Sequence, residues 1–349
     1  MSQTSWWKGP IRAEPDFDNL LAVLNRGKPN RPTLFEFFLN ERLYRKLAGP
    51  SWTDNPATLA RWRTLIAAFK AAGYDYATVP GSALAFPGGE HDRAQTISLN
   101  QGAVITDRKS FDAYPWPDPD ALDYSALRTI APDLPRKMKL IVCGPGGVLE
   151  NVIGLVGFEN LCWMLADDPG LAEDIFAQVG SRLVRHYEIA VAFDTVGACI
   201  SNDDWGFKTQ TFLSVPDMRR YVFPWHVKIV EAIHAAGKPA ILHSCGEARE
   251  IMEDIITVMR YDGKHSYEDV IMPVEDAYAR WGDRIAILGG IDVDFIMRSS
   301  GDEIFNRSHA MLERTAARGG YALGTGNSVP EYIDDEKYFA MISAATEKR

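Results

Sequence analysis

Cysteine is scarce, with four in 349 residues at positions 143, 162, 199 and 245, too few for a disulfide framework. Positive charge is also in deficit: 37 Lys and Arg stand against 47 Asp and Glu, for a formal net charge of -10. A grip on nucleic acid or on an anionic membrane needs clustered positive charge, so neither is expected as a partner. No apolar run reaches the ~20 nearly uncharged residues of a spanning helix. The most apolar stretch, 140–165, is broken by Pro145, Glu150, Asn151 and Glu159. The opening MSQTSWWKGP lacks a basic-then-apolar signal pattern, which makes the cytoplasm the expected location. Repeats, low-complexity tracts and linkers are missing too, so the expectation is one domain over 1–349, with 1–30 as an N-terminal arm carrying an amphipathic piece around Phe17 to Leu24.

What is present is regular alternation. Short branched-residue runs at 33–38, 74–80, 138–144, 196–203, 239–245, 261–266, 284–292 and 321–326 read as buried strands. Helical patterns separate them, at Pro56 to Ala72, Leu171 to Phe193, Val215 to Ala236, Glu247 to Met259 and Gly301 to Arg318. Strand alternating with helix is the pattern of parallel βαβ units, and eight such units suit a closed (β/α)₈ TIM barrel, which leaves no edge strand, better than an open sheet. Long excursions follow the second and third of these runs: residues 81–135, with PGGEHDR, and 144–168, with two short helical patterns. Loops after strands form the catalytic face of a barrel.

Polar residues at the strand ends are therefore the site candidates: Glu36, Asn202, Asp203, Asp204, His243, Cys245, His265, Glu268, Asp292, Thr325, Asn327 and Ser328. The sharpest element is His243-Ser244-Cys245-Gly246. Residues two apart in an extended segment face the same side, so an imidazole and a thiolate could share one soft metal, zinc being the usual occupant. The alternative is a small buried Cys245 beside a hydrogen-bonded His243. Asp203 and Asp204 are adjacent, so one should face the pocket and the other away, as a functional carboxylate or as a helix cap. LGTGNS at 323–328 could cradle an anion or simply turn, and Gly289-Gly290 suggests close backbone approach or an ordinary strand-end turn. Trp205, beside Asp204, is a candidate ligand contact, whereas His186, His226, His234 and His309 sit in helical patterns and read as core or surface histidines.

SNDDW (201–205), ILHSCG (241–246), DGKHSYEDVIMPVEDA (262–277), WGDRIAILGGIDVDFIM (281–297) and GGYALGTGNSVPEYI (319–333) resemble the uroporphyrinogen decarboxylase superfamily. That superfamily includes the heme-pathway decarboxylase and cobalamin-dependent methyltransferases, and the resemblance, over about residues 30–345, implies a (β/α)₈ barrel. The decarboxylase's Arg-Gln-Ala-Gly-Arg and Phe-Ser-Asp motifs are replaced by FEFFLNERL (35–43) and ATVPGS (77–82). A pocket offering Glu36 without matching arginines would repel a polycarboxylate.

The methyltransferase branch holds zinc with a His-x-Cys pair and a later cysteine. His243 and Cys245 match the pair, but no cysteine follows Cys245, and Glu268 is the expected third ligand. The resemblance thus implies a methyltransferase passing a methyl group from a small donor, such as an O-methyl compound, to a corrinoid carried by a separate protein. Asp203, Asp204 and Glu268 are the expected catalytic carboxylates. Glu36, Trp205, Phe207, His265, Asp292 and Asn327 are expected to meet substrate, with Trp205 and Phe207 walling the pocket. A decarboxylase acting on a smaller acid and a non-catalytic ligand-binding barrel are the alternatives, and a homodimer is an expectation drawn from the family.

Overall fold

The computed structural model describes residues 5–89, 99–100 and 102–346; Glu90 to Arg93 of the PGGEHDR segment lie outside them. Among the described residues one parallel sheet carries seven strands in chain order: β1 Tyr76–Pro80, β2 Lys139–Cys143, β3 Val196–Asn202, β4 Ala240–His243, β5 Gly263–His265, β6 Ala286–Leu288 and β7 Tyr321–Ala322. Parallel neighbours require crossover connections, and the intervening helices bury the sheet. That is why Leu140, Ile141 and Val142 of β2, and Ala198, Cys199 and Ile200 of β3, run apolar without alternation and are all buried.

The longest helix, Pro169–Ala190, shows how the sequence sets its own boundaries. Asp168 caps it, accepting from the Leu171 N–H at 3.0 Å, and proline occupies the first turn, where its missing N–H costs nothing. Leu171, Ile175, Phe176, Val179, Leu183 and Tyr187 then recur at helical spacing and are buried against the helix Phe223–Ala235. Two expected helices come out differently. The 215–236 pattern contains a widened turn at Met218–Val222 before the regular helix, because Pro224 offers no N–H and its ring would strike the carbonyl one turn earlier. The 247–259 pattern yields only tight and wide turns at Arg249–Ile251 and Asp254–Val258, where the run Ile255-Ile256-Thr257-Val258 is too β-branched to favour a helix.

The first expected strand, 33–38, is reduced to an isolated parallel bridge between Leu34 and Leu323 on the outer edge of β7. Phe35 N–H donates to the Leu323 carbonyl and Leu323 N–H to that of Thr33, both at 2.8 Å. On the other side no ladder forms; the Tyr76 phenol takes the Glu36 N–H at 2.7 Å and donates to the Glu36 carbonyl at 2.6 Å. A single side chain thus satisfies the backbone groups that a paired strand would have used.

Around the strands' N-terminal ends, the helix Asp18–Leu24 buries Leu20, Val23 and Leu24, with Phe17 just before it. Phe17 fills the space beside Gly197 and Leu24 that beside Gly263, where any Cβ would collide. The opposite end carries the helices Val148–Val156 and Phe158–Asp167 of the second long excursion, which meet at 94°. Among the described residues no single helix is long and apolar enough to cross a membrane.

Candidate metal centre

Register brings the polar strand ends together. Asn202 of β3 pairs with His243 of β4, which pairs with His265 of β5. The ladder continues past the strands, with Asp203 N–H donating to the His243 carbonyl at 2.9 Å and Ser244 N–H to that of His265 at 2.8 Å. Beyond it, the Cys245 N–H donates to the Asp204 carboxylate at 2.8 Å. The turn at Gly246 has φ +90° and passes against the Gly206 backbone, where a Cβ would stand 2.2 Å from the carbonyl oxygen, so only glycine fits. The result is a cluster of three donors, an Asp204 oxygen, a His243 ring nitrogen and the Cys245 sulfur, all within 4.8 Å of one another. Sγ and Nε2 are 3.7 Å apart.

The hydrogen-bond chain behind His243 assigns its tautomer. His265 Nε2 lies 3.1 Å from the Thr325 carbonyl, which can only accept, so that nitrogen carries the proton. Burial holds the His265 imidazole neutral, its pKa lowered to about 3, so His265 Nδ1 is a bare acceptor. His243 Nδ1 stands 2.8 Å from it and must donate. Burial, together with His265 and Lys264, also pushes the His243 pKa well down, leaving a neutral ring whose Nε2 lone pair faces Cys245. A neutral imidazole with its other nitrogen anchored is the form that binds a metal.

The sulfur is prepared in the same way. Ser266 Oγ and Asn327 Nδ2 both point at Cys245 Sγ from 3.3 Å, as donors to a sulfur lone pair. Burial, then the Asp204 carboxylate, push the thiol up to about 12, and burial raises Asp204 as well. A cation between the two groups would replace the thiol proton and favour both ionised forms. The donor set of imidazole, thiolate and carboxylate fits zinc chemically.

Asp203, one residue from Asp204, is spent elsewhere. Its oxygens accept from the N–H groups of Leu149 (3.0 Å) and Glu150 (2.9 Å), and one of them faces His226 Nε2 at 2.9 Å. It caps the helix Val148–Val156 in place of residue 147, where a Cβ would fall 2.0 Å from the Asp203 side chain. His226 in turn meets Tyr261 at 2.7 Å, so this histidine and His186, bonded to Tyr124 and the Cys143 carbonyl, are core groups; His234 is partly buried and His309 exposed.

The other expected residues are spread more widely. Glu268 is not in the donor cluster; it lies 3.7 Å from Lys208 on the wall of a cavity of about 800 Å³. Asp292 and Asn327 line the same cavity, Asp292 while capping Phe295 at 2.8 Å and accepting from Asp269 N–H at 2.9 Å. Asn327 links this space to the sulfur. Trp205 is buried against Phe223 and His226 instead of walling the cavity, and Phe207, half exposed, packs on Phe158 and Phe212. Glu36 is fully buried, both oxygens on Thr325, and presents no charge to the cavity; burial raises its carboxyl to about 8. The 323–328 turn offers no anion cradle from Thr325 or Gly326, because their N–H groups go to Glu36 and the Ile291 carbonyl. Gly289 and Gly290 do mark close approach, with φ of +67° and +103°, but to Thr325 and Val274.

Ser266, Lys264 and Glu150 went unnoticed in the sequence. Lys264 is buried in β5, donating to the carbonyls of Ser266 at 2.8 Å and Ser244 at 3.3 Å, and burial lowers its amine to about 8. A lysine inside an otherwise buried strand was the available signal. Glu150, in the first turn of its helix, is raised to about 8 by burial and then by Asp203 and Asp204.

Comparison with known proteins follows the same lines. The family model for uroporphyrinogen decarboxylase (URO-D) matches residues 98–348. Two proteins named uroporphyrinogen decarboxylase are similar: that of Anaeromyxobacter dehalogenans, 25% identical over 70% of this chain and 69% of its own, and that of Hydrogenovibrio crunogenus, 23% identical over 64% and 68%. Among solved structures, a methyltransferase from Methanosarcina mazei superposes with a TM-score of 0.69 at 14% identity, covering 94% of this chain and 97% of its own, which shows a shared fold. With well over half of its length matched by the family model, the chain belongs to the uroporphyrinogen decarboxylase family.

Proposed function

We propose that this protein is a zinc-assisted methyltransferase that takes a methyl group from a small methylated compound and delivers it to a corrinoid borne by a separate protein. The observation that carries the reading is the cluster of Asp204, His243 and Cys245 within 4.8 Å, with the His243 Nε2 lone pair turned into it. The fold shared with a methyltransferase supports it. So does the replacement of both arginine- and aspartate-bearing decarboxylase motifs by FEFFLNERL and ATVPGS. The cavity's cations are not free to grip a polyacid, since Lys208 stands by Glu268 and Arg298 is paired with Asp294 at 2.9 Å.

Zinc bound there would act as a Lewis acid that polarises the oxygen or sulfur carrying the methyl group. His243 and Cys245 would hold it with Asp204 as third donor, leaving a fourth position for substrate. Ser266 and Asn327 would stabilise the metal-bound thiolate, and Asn327 borders both the centre and the cavity. Glu268, with Lys208, meets the donor from the cavity wall. Exposed Val270, Met297 and Tyr332 ring that mouth and suit a docking partner. The parallel order β1 to β7, with Leu34 on the free edge of β7, supports a single (β/α)₈ barrel domain closed by segment 33–38.

The test is turnover. Purified protein mixed with reduced corrinoid protein and a panel of methoxylated compounds should give a methyl-cobalt absorption with at least one donor, and H243A should abolish it. Carbon dioxide release from small acids with no methyl-cobalt signal would overturn the reading in favour of a decarboxylase.

A further inference from the structure

Glu36 has no role in the centre as described, yet it is fully buried and both its oxygens contact one residue, Thr325. Oε1 accepts the Thr325 N–H at 2.6 Å and Oε2 lies 2.7 Å from the Thr325 hydroxyl. That hydroxyl also contacts the Asn327 carbonyl. It owns one proton, and a carbonyl can only accept, so the hydroxyl donates to Asn327. The Oε2 contact is then a hydrogen bond only if Oε2 carries the proton and donates to the hydroxyl oxygen.

From Thr325 two branches lead to the centre. Its carbonyl accepts from His265 Nε2 at 3.1 Å, which fixes the tautomers of His265 and His243. The Asn327 carbonyl is held by its hydroxyl, while the Asn327 side chain donates to Cys245 Sγ at 3.3 Å. We infer that Glu36, as a neutral carboxylic acid, is a positioning residue that latches Thr325–Asn327 and thereby orients two of the three metal donors, His243 and Cys245. This rests on the metal-centre reading but concerns residues that do not touch the metal.

The surroundings keep the acid neutral. No Lys or Arg pairs with Glu36 among the described residues, and the titratable groups whose charge bears on it are Tyr44, Tyr74, Tyr76, Tyr321 and Tyr338, all with pKa values raised by burial. His265, across Thr325, is itself neutral. Burial lifts the Glu36 carboxyl to about 8, so the latch is closed at neutral pH and opens above it.

The test compares wild type with Glu36→Gln, which copies the neutral acid, and with Glu36→Ala and Thr325→Val, which remove the latch. One readout needs no metal: nitrogen-15 NMR of histidine-labelled protein should show His243 protonated at Nδ1 in wild type and Glu36→Gln at pH 7, and a mixture of tautomers in Glu36→Ala or Thr325→Val. The second is cobalt(II) titration followed by thiolate charge-transfer absorption. At pH 7 the Gln variant should bind within about twofold of wild type and the other two about 10- to 100-fold more weakly, the usual cost of losing such outer support. Between pH 7 and 9.5 wild type should lose affinity relative to Glu36→Gln. Should Glu36→Ala fail to fold, Thr325→Val carries the comparison. Wild-type tautomers and affinity in Thr325→Val, or a Gln variant as impaired as Ala, would overturn the latch. Intact tautomer effects in a protein that binds no cobalt would leave the latch standing and remove the zinc reading instead.

Discussion

Two neighbouring networks in this protein use the same residue types to opposite ends. Asp203, His226 and Tyr261 form a closed set: the carboxylate caps a helix and meets the imidazole, whose other nitrogen meets the phenol. Asp204, His243 and Cys245 form an open one, in which an imidazole lone pair, a thiol and a carboxylate face each other with their supporting bonds arriving from behind. The two carboxylates sit on consecutive residues, yet only the second network has donor capacity to spare. The proposed metal donors are marked by lone pairs left over once the local hydrogen bonds are counted, and residue type alone does not reveal them.

That contrast can be broken by mutation. The largest effect is expected for His243→Ala and Cys245→Ser, which should lower metal content from about one per chain to near zero, read by elemental analysis, while shifting the melting temperature little beyond the loss of bound metal. Asp203→Asn should do the reverse. It keeps the metal stoichiometry but costs about 2–4 kcal/mol in denaturant unfolding, because buried N–H groups lose a charged acceptor. If Asp203→Asn emptied the centre without destabilising the fold, the two networks would not be separate.

Proton linkage sharpens the same comparison. With its thiol pushed up to about 12, Cys245 is protonated at pH 7, so metal binding should release a proton there. Apparent affinity should rise by up to about tenfold per pH unit, measured by calorimetry in buffers of different ionisation enthalpy. In Cys245→Ser the release should vanish.

A smaller effect is expected for stability at Glu36. Its folded-state pKa is raised to about 8 against an ordinary 4.5, so between those values the folded chain binds a proton that the unfolded chain has lost. Stability from this group is therefore undiminished below about 4.5, declines as pH rises to about 8, and is level above that. Glu36→Gln removes the dependence, and its melting temperature relative to wild type should climb by a few degrees from pH 5 to pH 8. A difference that stays constant over that range would contradict a neutral, buried Glu36.

Much of the fold was legible because burial on both faces leaves a plain mark. Runs such as MKLIVCG and PAILHSC are apolar, short and bounded, and they form β2 and β4. The run at 33–38 carries the same mark without becoming a laddered strand, because a tyrosine from β1 occupies its backbone, and no local pattern reports that. The centre was legible to the same depth. His243 and Cys245 face one another as two-residue spacing requires, but the carboxylate beside them is Asp204 from β3's end, not Glu268 beyond β5. Choosing between the two needs the register of three strands. Trp205 was expected in the pocket because it follows Asp204, and the turn into the 206–211 loop instead sends it into the core.

The most direct measurement is X-ray absorption at the zinc edge on protein purified without chelators. One sulfur at about 2.3 Å and two or more nitrogen or oxygen neighbours at about 2.0–2.2 Å are expected in the wild type, with the zinc edge itself reduced to background in Cys245→Ser. A metal-free protein, or zinc with no sulfur neighbour in the wild type, would contradict the zinc reading.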